Sequence, residues 1–166
     1  MKDLEHILEF PAYDAIALSF VSSENDIKRV RQMSRSYNRD IDIIAKIETL
    51  AGVENINRIC QYADFVMAAR GDLALAIPWV ELPSAMRQIS SSAKLNSTPW
   101  ILATQIMEGL ERFTMPTRAE ICDLAHWLMK GSSGILLSYE TCFGAKPVEA
   151  VVCAKKLLNR WRISQE

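Results

Sequence analysis

Five short apolar runs alternate with helical patterns along this chain, and few architectures accept that alternation. The runs cover 15–21, 43–48, 65–72, 100–105 and 134–138, spaced roughly 22 to 36 residues apart, enough for one crossover helix each. They are apolar through most of their length, which predicts strands buried on both faces. The segments between them carry helical spacing. After a helix-start signal at Ser23 and Asp26 come Ile27, Val30 and Tyr37. Val53, Ile56, Ile59 and Cys60 form a second stripe, and Leu82, Met86, Ile89 and Ala93 a third within 78–96. Thr117 and Glu120 make a capping box entered from Pro116, with Ile121, Leu124, Ala125 and Leu128 on one face beyond it. Pro147 opens the last helix, whose predicted buried stripe is Ala150, Ala154, Leu157 and Trp161. The fold class that follows is α/β, a parallel sheet of about five strands with flanking helices, in one domain over 1–166.

Composition removes several classes of function. A net charge of −1, with no Lys/Arg block interleaved with aromatics, argues against nucleic acid or an anionic membrane surface as partner. No apolar run is long enough to span a membrane, and the amino end is charged, so the expected location is cytoplasmic. Cys60, Cys122, Cys142 and Cys153 form no C-x-x-C pair and have no His nearby to complete a zinc pattern. They are expected to be reduced thiols that pack as small hydrophobes. His6 and His126 lie in helical patterns without metal-like partners, and surface or satisfied positions are expected for both. Trp79, Trp100, Trp127 and Trp161 are many for this length; core packing is the default, with an interface at an open sheet edge as the alternative.

The chemistry sits at the carboxyl ends of the runs, where parallel α/β sheets present their ligands. Lys46 and Glu48 are two residues apart and so share one face of a strand. The third run ends in Arg70, Gly71 and Asp72, and the fourth in Thr104. A Lys, two acids and a Thr converging there suit a divalent cation holding a small anionic oxygen substrate. A plain Lys46–Glu48 ion pair is the alternative. Arg70 reads equally as a brace for its loop, Thr117 and Glu120 as capping residues, and Ser138 as packing.

These stretches resemble the pyruvate kinase family, specifically the C-terminal part of its barrel. The resemblance rests on 44–48 (IAKIE), 67–73 (MAARGDL), 103–105 (ATQ), 116–120 (PTRAE), Leu137-Ser138 with Glu140-Thr141, and 147–151 (PVEAV). It extends to Lys2-Asp3 and Ser19-Phe20-Val21, so it covers nearly the whole chain. It implies the fourth to eighth strands of an eight-stranded TIM barrel, with no counterpart here of the first three strands, the lid domain or the C-terminal effector domain. A full barrel typically needs about 250 residues. The roles it implies are residue by residue. Lys46 is the cation that stabilises the transferring phosphoryl group and the enolate oxygen. Glu48 and Asp72 bind Mg²⁺ or Mn²⁺, backbone N–H groups of Arg70, Gly71 and Asp72 hold the substrate carboxylate, and Thr104 sits beside the enolate methylene carbon.

This sequence also departs from the family's pattern. Ser22 stands where an Arg usually follows Ser-Phe-Val, Ala74 and Ala76 replace a Gly and a Glu, and Tyr139 replaces a Gly at the mouth of the site. Two functions remain open at this point. One is an enzyme handling a 2-oxo acid or phosphoenolpyruvate-like substrate through its enolate, short of complete pyruvate kinase chemistry. The other is a non-catalytic truncated homologue acting as a binding, regulatory or assembly partner, and an excised fragment is a further possibility. Five strands do not close an eight-stranded barrel, so the free sheet edges predict either a homo-oligomer or repositioned helices that cap them.

Overall fold

The computed structural model describes residues 2–10 and 12–161. Met1, Pro11 and 162–166, part of the expected single domain, lie outside the described residues. The strands are β1 (Ala15–Leu18), β2 (Asp42–Ile47), β3 (Phe65–Ala69), β4 (Trp100–Ala103) and β5 (Gly134–Leu136). All pair in parallel, in the unbroken order β1-β2-β3-β4-β5. A doubly wound sheet reverses direction at a switch point; this one never does. The helices are α1 (Lys2–Glu9), α2 (Glu24–Ser36), α3 (Leu50–Glu54), α4 (Ile56–Cys60), α5 (Arg70–Ala76), α6 (Leu82–Leu95), α7 (Arg118–Met129), α8 (Tyr139–Cys142) and α9 (Pro147–Trp161).

The core lies between the sheet and its covering helices. Ile43, Ala45 and Ile47 point from β2 into it, with Val66 and Ala68 from β3 and Leu102 from β4. They meet Ile27 and Val30 of α2, Ile56 and Ile59 of α4, Met86 and Ile89 of α6, and Leu124 and Leu128 of α7. Burial on both faces holds in the middle of the sheet and fails at its edges. β3 and β4 are almost wholly buried, whereas β1 exposes Ala15 and Ala17, and β5 exposes Leu136. An edge strand has a neighbour on one side only, and no further strand among the described residues pairs with the outer flank of β1 or β5.

Helix ends follow their chemistry. Thr117 accepts the Glu120 N–H at 3.2 Å while the Glu120 carboxylate takes the Thr117 N–H at 2.7 Å, the capping box expected from sequence. Asp26 does the same for Ser23 at 3.0 Å. Gly52 is required by close approach: a Cβ there would stand 2.6 Å from the Val21 carbonyl oxygen.

Several predicted core positions are not core. Tyr37 caps α2 and Trp161 ends α9, and both rings are exposed because helix termini run past the sheet they cover. Leu157 is only half-buried, leaving Ala150 and Ala154 as the buried face of α9. Of the four cysteines, all unpaired, only Cys60 is buried, and burial pushes its thiol up to about 12; Cys122 and Cys142 are exposed. Trp100 and Trp127 pack edge to face at 5.9 Å, whereas Trp79 is exposed. His6 and His126 are both exposed, as expected.

Leu102, fully buried in β4, should be intolerant of truncation. Leu102→Ala is expected to lower unfolding free energy by about 2–5 kcal/mol, and exposed Leu95→Ala by less than about 0.5 kcal/mol. Urea denaturation followed by circular dichroism checks both.

Candidate functional site at the carboxyl ends of the strands

In the β2–β3 register Ile47 lies beside Ala68, and in the β3–β4 register Ala69 lies beside Ala103. Glu48, the Arg70–Asp72 segment and Thr104 therefore begin at adjacent strand ends on one side of the sheet. Lys46 and Glu48 share a face, as their spacing predicts. The Lys46 ammonium stands 2.7 Å from Glu48 Oε1 and donates to Ser19 Oγ at 3.0 Å. The Glu48 side chain is 1% exposed, and its Oε2 accepts the Phe20 N–H at 2.6 Å. Oε1 is the ion-pair partner of Lys46, the pairing that the sequence offered as the alternative, so both oxygens of this buried carboxylate face a positive or N–H group.

Phe20 holds its N–H in place with a left-handed backbone, φ 55°. That is costly for an aromatic residue and is compensated by the charge-assisted bond to Glu48. A second left-handed segment follows β4, at Thr104 (φ 66°) and Gln105 (φ 52°). Of the five non-glycine residues with positive φ among the described residues, three thus lie beside these strand ends; Asn38 and Ser97 follow helices, where such a turn is routine.

Arg70 explains how the Thr104 turn is held. Its Nη2 donates to the carbonyl oxygens of Thr104 at 2.5 Å and Gln105 at 3.1 Å, and its Nε to that of Ala103 at 3.3 Å. Its Nη1 pairs with the Asp123 carboxylate, whose other oxygen accepts the Trp127 indole N–H at 2.8 Å. The side chain is a brace, one of the two readings that the sequence left open. The third run also ends earlier than its apolar length suggests. Arg70 begins α5, so Arg70, Gly71 and Asp72 form a helical first turn, where N–H groups lack intrahelical acceptors. The Gly71 N–H is taken by Thr104 Oγ1 at 3.0 Å. Asp72 is exposed on the same turn and joins no ion pair among the described residues.

Glu140, buried and quoted above only as part of a motif, supports the site from beneath. It accepts the N–H groups of Ile106 at 3.2 Å, Met107 at 3.1 Å and Ser138 at 2.8 Å, tying the segment after β4 to the end of β5. Nearby, burial first, and then the charges of Glu140, Glu111 and Glu120, push the Glu108 carboxyl above its ordinary value, while a Gln105 hydrogen bond opposes them. Ser138 stands at the N-cap position of α8 without a side-chain cap, and its backbone N–H goes to Glu140.

The pyruvate kinase barrel-domain family matches residues 1–151 of the chain. The chain belongs to the pyruvate kinase family. It is 37% identical to the pyruvate kinase of Thermotoga maritima over 152 residues, 92% of this chain and 32% of that protein. With the pyruvate kinase of Methanocaldococcus jannaschii it shares 37% identity over 160 residues, 96% of this chain and 35% of the relative. A crystal structure of a pyruvate kinase from Cryptosporidium parvum superposes with a TM-score of 0.86 at 37% identity, covering 94% of this chain and 34% of that one. The chain thus spans about a third of the length of the pyruvate kinases it matches, and is a partial pyruvate kinase barrel.

The residues present can be tested against the divalent cation that the family implies. Among the described residues no cluster of three or more His, Cys, Asp or Glu is placed to hold a metal. Two carboxylates remain, buried Glu48 paired with Lys46 and exposed Asp72, which has no ion partner among the described residues. That donor set suits Mg²⁺ or Mn²⁺, which bind through one or two carboxylates and complete their shell with water and substrate oxygens.

Removing the Arg70 brace should loosen the Thr104 turn. Arg70→Ala is expected to cost about 3 kcal/mol of stability because it leaves three carbonyls and Asp123 unpaired. The half-exposed Asp123→Asn should cost about 1 kcal/mol. Chemical denaturation of both variants measures the difference; a neutral Arg70→Ala would show that the brace contributes nothing.

Proposed function

We propose that this partial pyruvate kinase barrel carries a divalent-cation-dependent site for a small 2-oxo acid or phosphoenolpyruvate-like anion, and acts on it through its enolate. The observation that carries the reading is the buried Glu48 carboxylate, held 2.7 Å from the Lys46 ammonium at a strand end. Glu48 and Asp72 would hold Mg²⁺ or Mn²⁺, which supplies positive charge beside the substrate oxygens. Lys46 adds a fixed cation where negative charge develops on the enolate oxygen, in a site whose charge is already arranged before reaction. First-turn N–H groups at Arg70–Asp72 would hold the substrate carboxylate, the Gly71 N–H exchanging Thr104 Oγ1 for it, with Arg70's own side chain turned away as a brace. Thr104, held left-handed, places its hydroxyl beside that turn, on the side where the enolate carbon exchanges its proton.

Complete phosphoryl transfer is not part of the proposal. That reaction depends on positioning both ends of the moving group and neutralising its charge. The family residues that hold nucleotide phosphates lie mainly in strands that this chain does not match. The reaction class is therefore enolisation or decarboxylation of a 2-oxo acid, in the cytoplasm.

Tyr139 favours a second reading, a non-catalytic binding or assembly partner. Its half-exposed ring lies 5.7 Å from that of exposed Phe143, in and just after the short helix that follows the edge strand β5. The β1 and β5 edges are where a homo-oligomer would form.

Calorimetric titration with Mn²⁺, with and without oxalate as a mimic of the pyruvate enolate, tests the first reading. Oxalate should bind only with Mn²⁺, and Glu48→Ala and Asp72→Ala should each weaken metal binding by more than about tenfold, the lower end of what a disturbed metal site loses. No metal-dependent oxalate binding by folded protein would leave the second reading.

A further inference from the structure

The opposite end of the sheet carries a second concavity that the site above does not use. A groove of about 1470 Å³ lies between the last turns of α6 and α7, the segments leading into β4 and β5, and the C-terminal half of α9. Lys94, Lys130 and Lys155 line it from three different helical elements. A smaller cavity of about 450 Å³ shares Ser90, Ser91 and Lys130 with the groove and adds Arg87. No Asp or Glu lines either space, in a chain whose acids outnumber its Lys and Arg, 20 to 19. Among the described residues none of the three lysines forms an ion pair.

Helix dipoles account for part of this charge. Lys94 is in the last turn of α6 and Lys130 caps α7, where a cation complements the carbonyl ends. Lys155 lies in the middle of α9 and has no such role. Two polar groups on residues lining the groove are also buried without a partner, the Trp100 indole N–H and the Ser133 hydroxyl, and Trp100 is 2% exposed.

The geometry points to a binding site for a small phosphate-bearing molecule in this groove. Three ammonium groups and no carboxylate favour a multiply charged anion, and lysines bind phosphate as mobile point charges. Serine hydroxyls and the Asn159 amide supply hydrogen bonds, while Ile135 and Leu158 offer an apolar wall to the rest of the ligand. The site is independent of the 2-oxo acid reading, because it is built at the other ends of the strands.

Titration of the full chain with inorganic pyrophosphate at low ionic strength, followed by tryptophan fluorescence, tests the inference, since Trp100 lines the groove. The expected result is saturable binding that weakens about threefold in Lys130→Gln and in Lys155→Gln, and about tenfold in the double variant. All three lysines are exposed, so these variants should keep the parent's circular dichroism spectrum and melting temperature. Lys46→Gln, at the far end of the sheet, should bind pyrophosphate as the parent does. Absence of saturation up to millimolar pyrophosphate would overturn the inference. So would affinity unchanged in the double variant, or lost in Lys46→Gln instead.

Discussion

Because every strand pairs in parallel with the next one in the chain, all five carboxyl ends fall on one side of the sheet, and the side chains there are neighbours by construction. Lys46, Glu48, Arg70 and Thr104 come from three strands and their following segments, separated by up to 58 residues (104 − 46) in sequence. The ladder alone brings them together. It also leaves the first backbone groups beyond each strand without ladder partners, and the site is made from how those groups are satisfied. Phe20 gives its N–H to Glu48, Gly71 gives its own to Thr104, and the carbonyls of Ala103, Thr104 and Gln105 are gathered by one guanidinium. Left-handed backbone at Phe20, Thr104 and Gln105 is the conformational cost of that arrangement, spent where ligands would approach.

Much of this was legible from residue order. Apolar runs at crossover spacing gave the number and direction of the strands, and the Lys46–Glu48 spacing placed both groups on one face. The capping box at Thr117 and Glu120 was readable because it is a local pattern with a local mechanism. The less legible features depend on tertiary position. Tyr37 and Trp161 keep helical phase with buried residues but stand where their helices outrun the sheet, and periodicity carries no information on where a sheet stops. Arg70 continued an apolar run in sequence yet starts α5, since its side chain finds its acceptors beyond β4 rather than in its own strand. Glu140 and Asp123 each serve backbone or side chains reached through folding, and neither lies in a spacing pattern that advertises it.

The partial barrel places two demands on the chain. Its central strands are almost wholly buried, while β1 and β5 end the sheet with exposed small or apolar residues. Ser22, Ala74, Ala76 and Tyr139, the departures from the family pattern, lie in the segments that follow β1, β3 and β5, on the side of the sheet where the candidate site begins. They alter its rim and leave the Lys46–Glu48 pair and the Arg70 brace in place.

Where the metal goes on the molecule is the most direct test of this account. Backbone amide spectra recorded as Mn²⁺ is added report it, because the paramagnetic ion broadens only nearby signals. The account predicts selective broadening at Phe20, Glu48, Gly71, Asp72 and Thr104, with Ser97 and Ser133 at the opposite strand ends unaffected. Broadening confined to other surface carboxylates, or none, would contradict it.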